Sequence, residues 1–138
     1  MHRTVVMLTL ALVVGVAVGM LGNELLLAQQ APVTRTMLQQ KDLEGVAGRE
    51  VVMYRAEAVP GFVGGRHYHS GPEFVYILDG ALIVESDGQP PVTLKAGESA
   101  HLPAKDRHGV KNGSSTAPVK LIVFIVGEKG QPLATPVQ

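Results

Sequence analysis

From Arg49 to Val126 the chain never runs more than eleven residues without a glycine or a proline. Both residues are disfavoured inside helices, so this punctuation leaves little room for them and divides the segment into short runs rich in β-branched and aromatic residues. The runs are Arg49 to Val59, Glu73 to Asp79, Ala81 to Ser86, Pro91 to Lys95, Glu98 to Pro103, His108 to Asn112 and Val119 to Val126. Turn pairs such as Pro60-Gly61, Asp79-Gly80, Asp87-Gly88, Ala96-Gly97 and Asn112-Gly113 separate them. Helical periodicity is almost absent beyond the N-terminal leader, Gln39 to Val46 making at best one turn. Short strands at close spacing predict an all-β domain, a single antiparallel sandwich or small barrel. Ile77 to Val84 and Leu121 to Val126 are apolar enough for central strands. The proline-rich tail "EKGQPLATPVQ" has no period and is expected to pack across the outside or hang free.

The N-terminus reads differently. His2 and Arg3 precede an uncharged apolar run from Val5 to Gly22, and small or polar residues follow around Ala28 to Ala31. This is the layout of a signal peptide cleaved after Ala28 or Ala31, and eighteen apolar residues also suit an uncleaved membrane anchor. A buried helix of the domain is the third reading. The expected organisation is a leader over residues 1–28 and one domain over 29–138, with its barrel at about 34–126 and a tail at 127–138. Export places that domain in the periplasm or another extracytoplasmic space, with membrane contact only through an uncleaved anchor. Twelve basic residues balance twelve acidic ones without a basic cluster, which argues against a nucleic-acid partner. There is no cysteine, so packing rather than disulfides must hold the domain, and thiol chemistry is excluded.

The chemistry concentrates in "GRHYHSGPEF". Side chains two apart on a strand share a face, so an extended segment turns His67 and His69 to one side and Arg66 and Tyr68 to the other. Glu73 follows a turn at Ser70-Gly71-Pro72 and shares its face with Val75 and Ile77. The remaining histidines after the leader are His101 and His108. Two imidazoles, a carboxylate and a third imidazole form an N/O donor set suited to divalent iron, manganese, nickel, copper or zinc. Such a set leaves coordination positions for water or substrate, as a catalytic ion requires. Arg66 is expected to be a solvated or interface charge. Phe62, Met53, Leu82, Leu102 and Phe124 are candidates for an apolar pocket wall or plain core, and Tyr54, Tyr68 and Tyr76 for pocket hydroxyls, the last two facing away from the ligands.

These residues resemble the cupin superfamily, and in particular its small single-domain members. The first cupin motif is a glycine, five residues, H-x-H, three or four residues, a glutamate, six residues and a glycine; Gly61, His67, His69, Glu73 and Gly80 fill it. The second is a glycine, five residues, P-x-G, two residues, a histidine, three residues and an asparagine; Gly97, Pro103, His108 and Asn112 match, with Lys105 in place of the turn glycine. The resemblance implies an antiparallel jelly-roll β-barrel holding one divalent transition-metal ion on His67, His69, Glu73 and His108. It further implies a homodimer. Lys105 implies either an ordinary φ or a mildly strained turn, on a tolerated surface loop or as a substrate-binding cation. His101 is either an acid–base group of the pocket or an exposed histidine.

Two classes of function fit. One is a metal-dependent enzyme, a dioxygenase-like oxidoreductase acting on a small organic molecule. The other is a module that binds or senses a small ligand or metal without turning it over. The fold and donor set do not choose between them. No Ser-His-Asp arrangement or phosphate-cradling glycine loop is present, and the sequence assigns no catalytic residue beyond the ion's ligands.

Overall fold

The computed structural model describes residues 32–137, so the leader assignment falls outside the described residues. Ten strands follow one another: β1 (Val33–Asp42), β2 (Arg49–Ala58), β3 (His67–Tyr68), β4 (Glu73–Asp79), β5 (Ala81–Ser86), β6 (Val92–Lys95), β7 (Ser99–Leu102), β8 (His108–Asn112), β9 (Val119–Glu128) and β10 (Thr135–Pro136). They form two five-stranded sheets, one in the order β1-β2-β9-β4-β7 and the other β10-β3-β8-β5-β6. Every pairing is antiparallel. The fold is the all-β jelly-roll barrel expected. Among the described residues no helix is long and apolar enough to cross a membrane.

Alternation decides which side chains enter the barrel. On β2, Val52, Tyr54, Ala56 and Ala58 are buried, and on β9 Val119, Leu121, Val123 and Ile125. Val75 and Ile77 join them from β4, as the period of two predicts, and the second sheet contributes Leu82, Val84 and Leu94. Apolar side chains of this size contribute about 1.5–3 kcal/mol each on full burial, so packing suffices for a cysteine-free domain.

Three features depart from the sequence expectation. Residues 39–42 are strand, not a helical turn, because β1 pairs with β2 from Val33↔Ala58 to Asp42↔Glu50, with one irregularity between Met37 and Gln39. That ladder satisfies its backbone without burying side chains; nine of its ten residues are exposed, which is why no apolar period marks it. Met53 and Phe124 are not pocket wall. They face the outside of the first sheet, in one cross-strand row with Phe74 and His101. The tail neither hangs free nor merely covers the surface: β10 pairs with β3 through Thr135↔Tyr68 and Pro136↔His67, and Val137 N–H donates to the Arg66 carbonyl at 3.0 Å.

Candidate metal centre

β3 is only two residues long, yet the face alternation holds across it: the rings of His67 and His69 lie with centroids 5.0 Å apart. β8 runs alongside with His67 opposite His108, bringing those rings to 4.5 Å. One nitrogen from each of the three histidines lies within 4.8 Å of the others, close enough to hold a metal ion. Glu73 enters from the first sheet, at the start of β4, and its Oε2 is 3.2 Å from His69 Nε2 and 3.3 Å from His108 Nε2. The site therefore forms only where the two sheets meet.

The turn that delivers Glu73 is built by close approach. Gly71 is buried against β9, where a Cβ would fall 1.7 Å from the Val126 carbonyl oxygen. Val126 N–H donates to the Pro72 carbonyl at 3.1 Å and Glu128 N–H to Ser70 Oγ at 3.0 Å, pinning both sides of the turn. The turn that delivers His108 holds Lys105 at φ 63°, so of the two expectations for that residue the strained one is realised. Its N–H donates to the His69 carbonyl at 3.0 Å, tying the two ligand-bearing segments together. Asn112 closes β8 by donating to the carbonyls of Val59 and Ala117, each at 2.9 Å, while its Oδ1 accepts from Ser114 N–H.

All three imidazoles are oriented by backbone carbonyls. His67 Nδ1 meets Gly65 O at 2.9 Å, His108 Nδ1 meets Asp106 O at 3.1 Å, and His69 Nδ1 meets Leu133 O in the tail. A carbonyl only accepts, so each Nδ1 carries the proton and each Nε2 is left with its lone pair for a ligand. The Asp106 carboxylate, itself accepting from Ser86 Oγ at 2.7 Å, lies 3.6 Å from His108 Nδ1 as further support.

Electrostatics follow from this crowding. Burial pushes His67 below the ordinary imidazole value. Burial acts the same way on His69, but the adjacent Glu73 carboxylate outweighs it and holds that ring above its ordinary value. Burial would raise Glu73; its contacts with His108 and His69 outweigh that and bring it down to about 2. His69 Nε2 is buried 3.2 Å from Glu73 Oε2, and among the described residues it has no hydrogen-bond partner. A buried ring nitrogen without a hydrogen bond, set among two others and a carboxylate, fits a divalent ion.

His67, Glu73 and His108 open onto a cavity of about 170 Å³. Phe62, Leu82 and Leu102 line it, as expected of them, and so do two polar residues, Arg35 and Tyr54. Arg35 leaves no mark in the sequence because only the β1–β2 register places it there. The remaining candidates lie elsewhere. His101 is exposed and stacks on Phe74 at 4.9 Å on the outer face, so it is not a pocket acid or base. Arg66 pairs with Asp87 and donates to Arg107 O at 3.1 Å at the surface. Tyr76 is exposed on the outer face, Tyr68 is half-buried on β3, and the Lys105 side chain is exposed.

Comparison with known proteins agrees with this geometry. The family description "Cupin domain" matches residues 54–125. Among solved structures, the chain is similar to a cupin superfamily protein from Desulfitobacterium hafniense, at 17% identity and TM-score 0.59 over 72% of this chain and 82% of that one. It is similar to the polyketide cyclase RemF from Streptomyces resistomycificus, at 21% and 0.60 over 78% and 72%. It is also similar to the DMSP lyase DddQ from Ruegeria pomeroyi, at 20% and 0.60 over 73% and 50%, so it spans half the length of that chain. Likeness at these identities is one of fold. No curated protein matches the sequence.

Proposed function

Since this chain belongs to the cupin family, we propose that it is a metal-dependent cupin in which His67, His69, Glu73 and His108 hold one divalent transition-metal ion and a small organic molecule is bound and transformed in the adjoining cavity. The observation that carries this reading is the common orientation of three imidazoles, each with Nδ1 committed to a carbonyl, beside an apolar cavity. The ion would supply Lewis-acid or redox chemistry. The chain's own residues exclude water, align the substrate and leave His67, the half-buried ligand, toward the cavity. With iron bound, oxidation by O₂ is the first reaction to test. The structural neighbours include a cyclase and a lyase, so non-redox turnover belongs in the same screen.

One observation favours the second reading, a binding or sensing module. Apart from the proposed ligands, the ionisable residues lining the cavity are Arg35 and Tyr54. A guanidinium has no lone pair to accept a proton, and burial followed by the Glu73 charge pushes the Tyr54 hydroxyl up to about 12. Neither is a general base near neutral pH, so turnover depends on the ion. Elemental analysis of the purified protein, followed by oxygen uptake and substrate loss in a small-molecule screen, tests both. Absence of stoichiometric metal in wild type, or His108→Ala retaining its full metal content, sinks the metal assignment. Stoichiometric metal and ligand binding without turnover establishes the module.

The leader supports export of this domain, which peptide sequencing of the mature N-terminus checks. For the homodimer, the outer face of the first sheet is the surface we assign. Phe74, Tyr76 and Leu78 are each nearly half exposed there beside Ile122 and Phe124. Charges of both signs edge it: Lys120 already pairs with Asp79 within the chain, and Arg55 and Glu57 are left for a second copy related by a two-fold axis to set together. Sedimentation of wild type as a monomer, or of Phe74→Asp as an undiminished dimer, rejects this face.

A further inference from the structure

Arg35 and Tyr54 reach the cavity from neighbouring strands. On β1, Val33 and the largely exposed Arg35 share the face that lines the cavity, and Arg35 sits opposite Ala56 on β2, with Val33 opposite Ala58. Two alanines where large core residues would otherwise pack leave room for the Arg35 side chain. Tyr54 is the diagonal neighbour, paired with Met37, and is buried beside Arg35 in the same cavity wall. The pair faces the same space as His67, Glu73 and His108, and the rest of the wall is apolar apart from the backbone of two glycines.

Charge identifies what such a space accepts. Among the described residues Glu73 is the one carboxylate in the wall, and the four-residue donor set already engages it. Arg35 adds a fixed cation, and a divalent ion would add two more positive charges. Arg35 is exposed as a whole, so water reaches it at the cavity mouth, and an anion entering there meets a net positive charge. A guanidinium presents two parallel N–H donors that match a carboxylate, and a buried phenol that keeps its proton supplies another donor.

We propose that Arg35 and Tyr54 form a carboxylate-binding subsite, so that the cavity takes a small monocarboxylate whose anionic end lies on Arg35 and Tyr54 and whose apolar body extends along the wall toward His67. The direction of that body rests on the metal-centre reading; the subsite itself does not, and the experiment separates the two.

Isobutyrate and its uncharged analogue isobutyramide are titrated by calorimetry into metal-free and Zn(II)-loaded protein. The expected result is that isobutyrate binds at least about tenfold more tightly in both forms. Arg35→Met abolishes the preference, Arg35→Lys keeps part of it, and Tyr54→Phe weakens isobutyrate several-fold while leaving isobutyramide unchanged. Arg35 is exposed, so the Arg35→Met protein should retain its unfolding temperature and metal content, and these are measured alongside. A preference confined to the Zn(II) form and indifferent to Arg35→Met would place the carboxylate on the ion and overturn the subsite. Equal affinities in wild type, including no detectable binding of either compound, overturn it as well. Preference in the metal-free form together with failure to bind Zn(II) would uphold the subsite and reject the metal centre.

Discussion

The Nδ1–H of His69 donates to the backbone carbonyl of Leu133, joining a ligand-bearing histidine to a residue of the C-terminal tail. The Leu133 side chain packs on the core, and β10 pairs with β3 just beyond it, so the carbonyl is anchored on both sides. This makes the tail part of the candidate centre. Partners that orient a ligand's second nitrogen typically matter by roughly 10–100-fold in metal affinity. Truncation after Glu128 should therefore weaken Zn(II) binding by about that factor in a chelator competition. A gentler variant replaces the peptide linkage between Leu133 and Ala134 with an ester, which weakens the Leu133 carbonyl as an acceptor and removes only the Ala134 N–H. It should lower affinity several-fold without lowering the unfolding temperature comparably. Unchanged affinity in both proteins would show that the contact orients nothing.

Gly71 should tolerate no side chain. A Cβ there lands on a β9 carbonyl rather than on a movable side chain, so the turn before Glu73 would have to lift off the sheet. Gly71→Ala should cost about 3 kcal/mol in denaturant unfolding and, in whatever fraction folds, displace Glu73 and reduce metal affinity. Gly65→Ala is the control, since a Cβ at that position would meet nothing within 4 Å and its φ is not positive. Equal stability of the two variants would contradict the packing described.

Lys105 tests strain in the opposite direction. A lysine held at φ 63° costs about 1 kcal/mol that glycine would not, although glycine gives back part of this through the entropy of the unfolded chain. Lys105→Gly should raise stability by up to about 1 kcal/mol, and Lys105→Val should lower it, because branching at Cβ worsens the same conformation. As the side chain is exposed and outside the cavity, isobutyrate affinity should not move. A Lys105→Gly protein less stable than wild type would mean that the lysine side chain makes a compensating contact.

Legibility in the sequence follows the range over which each feature is encoded. β4, β5 and β8 can be bounded to the residue, because glycine turns and alternation are written locally. His67, His69 and Glu73 can be placed on one side for the same reason, within seven residues of chain. β1 escapes notice because an edge strand that buries almost nothing leaves no apolar period. Arg35 and Leu133 escape it because their roles exist only through strand register, Arg35 opposite Ala56 and the tail opposite β3. His101 and Phe124 look like site or core candidates by residue type, but strand parity turns both outward.

The Glu73 contact with His69 sets opposite pH limits for the metal-free protein and a proton cost for loading it. Glu73 is held near 2, below its ordinary 4.5, so its stabilising contribution is present above 4.5 and is lost as pH falls toward 2. His69 is held above its ordinary 6.5, so its contribution is complete below 6.5 and is lost as pH rises through the elevated value. His67 is shifted the other way by burial, and it favours the folded state above 6.5 and disfavours it on acidification. A metal requires neutral imidazoles, so loading near pH 6.5 should release protons, His69's among them, and fewer as pH rises. Calorimetry of Zn(II) binding in two buffers of different ionisation enthalpy measures that release. NMR titration of the histidine rings in metal-free protein assigns it: His69 should titrate above 6.5 in wild type and fall in Glu73→Gln, while His67 titrates below 6.5. If His69 titrated identically in both proteins, the carboxylate would not be what holds its proton.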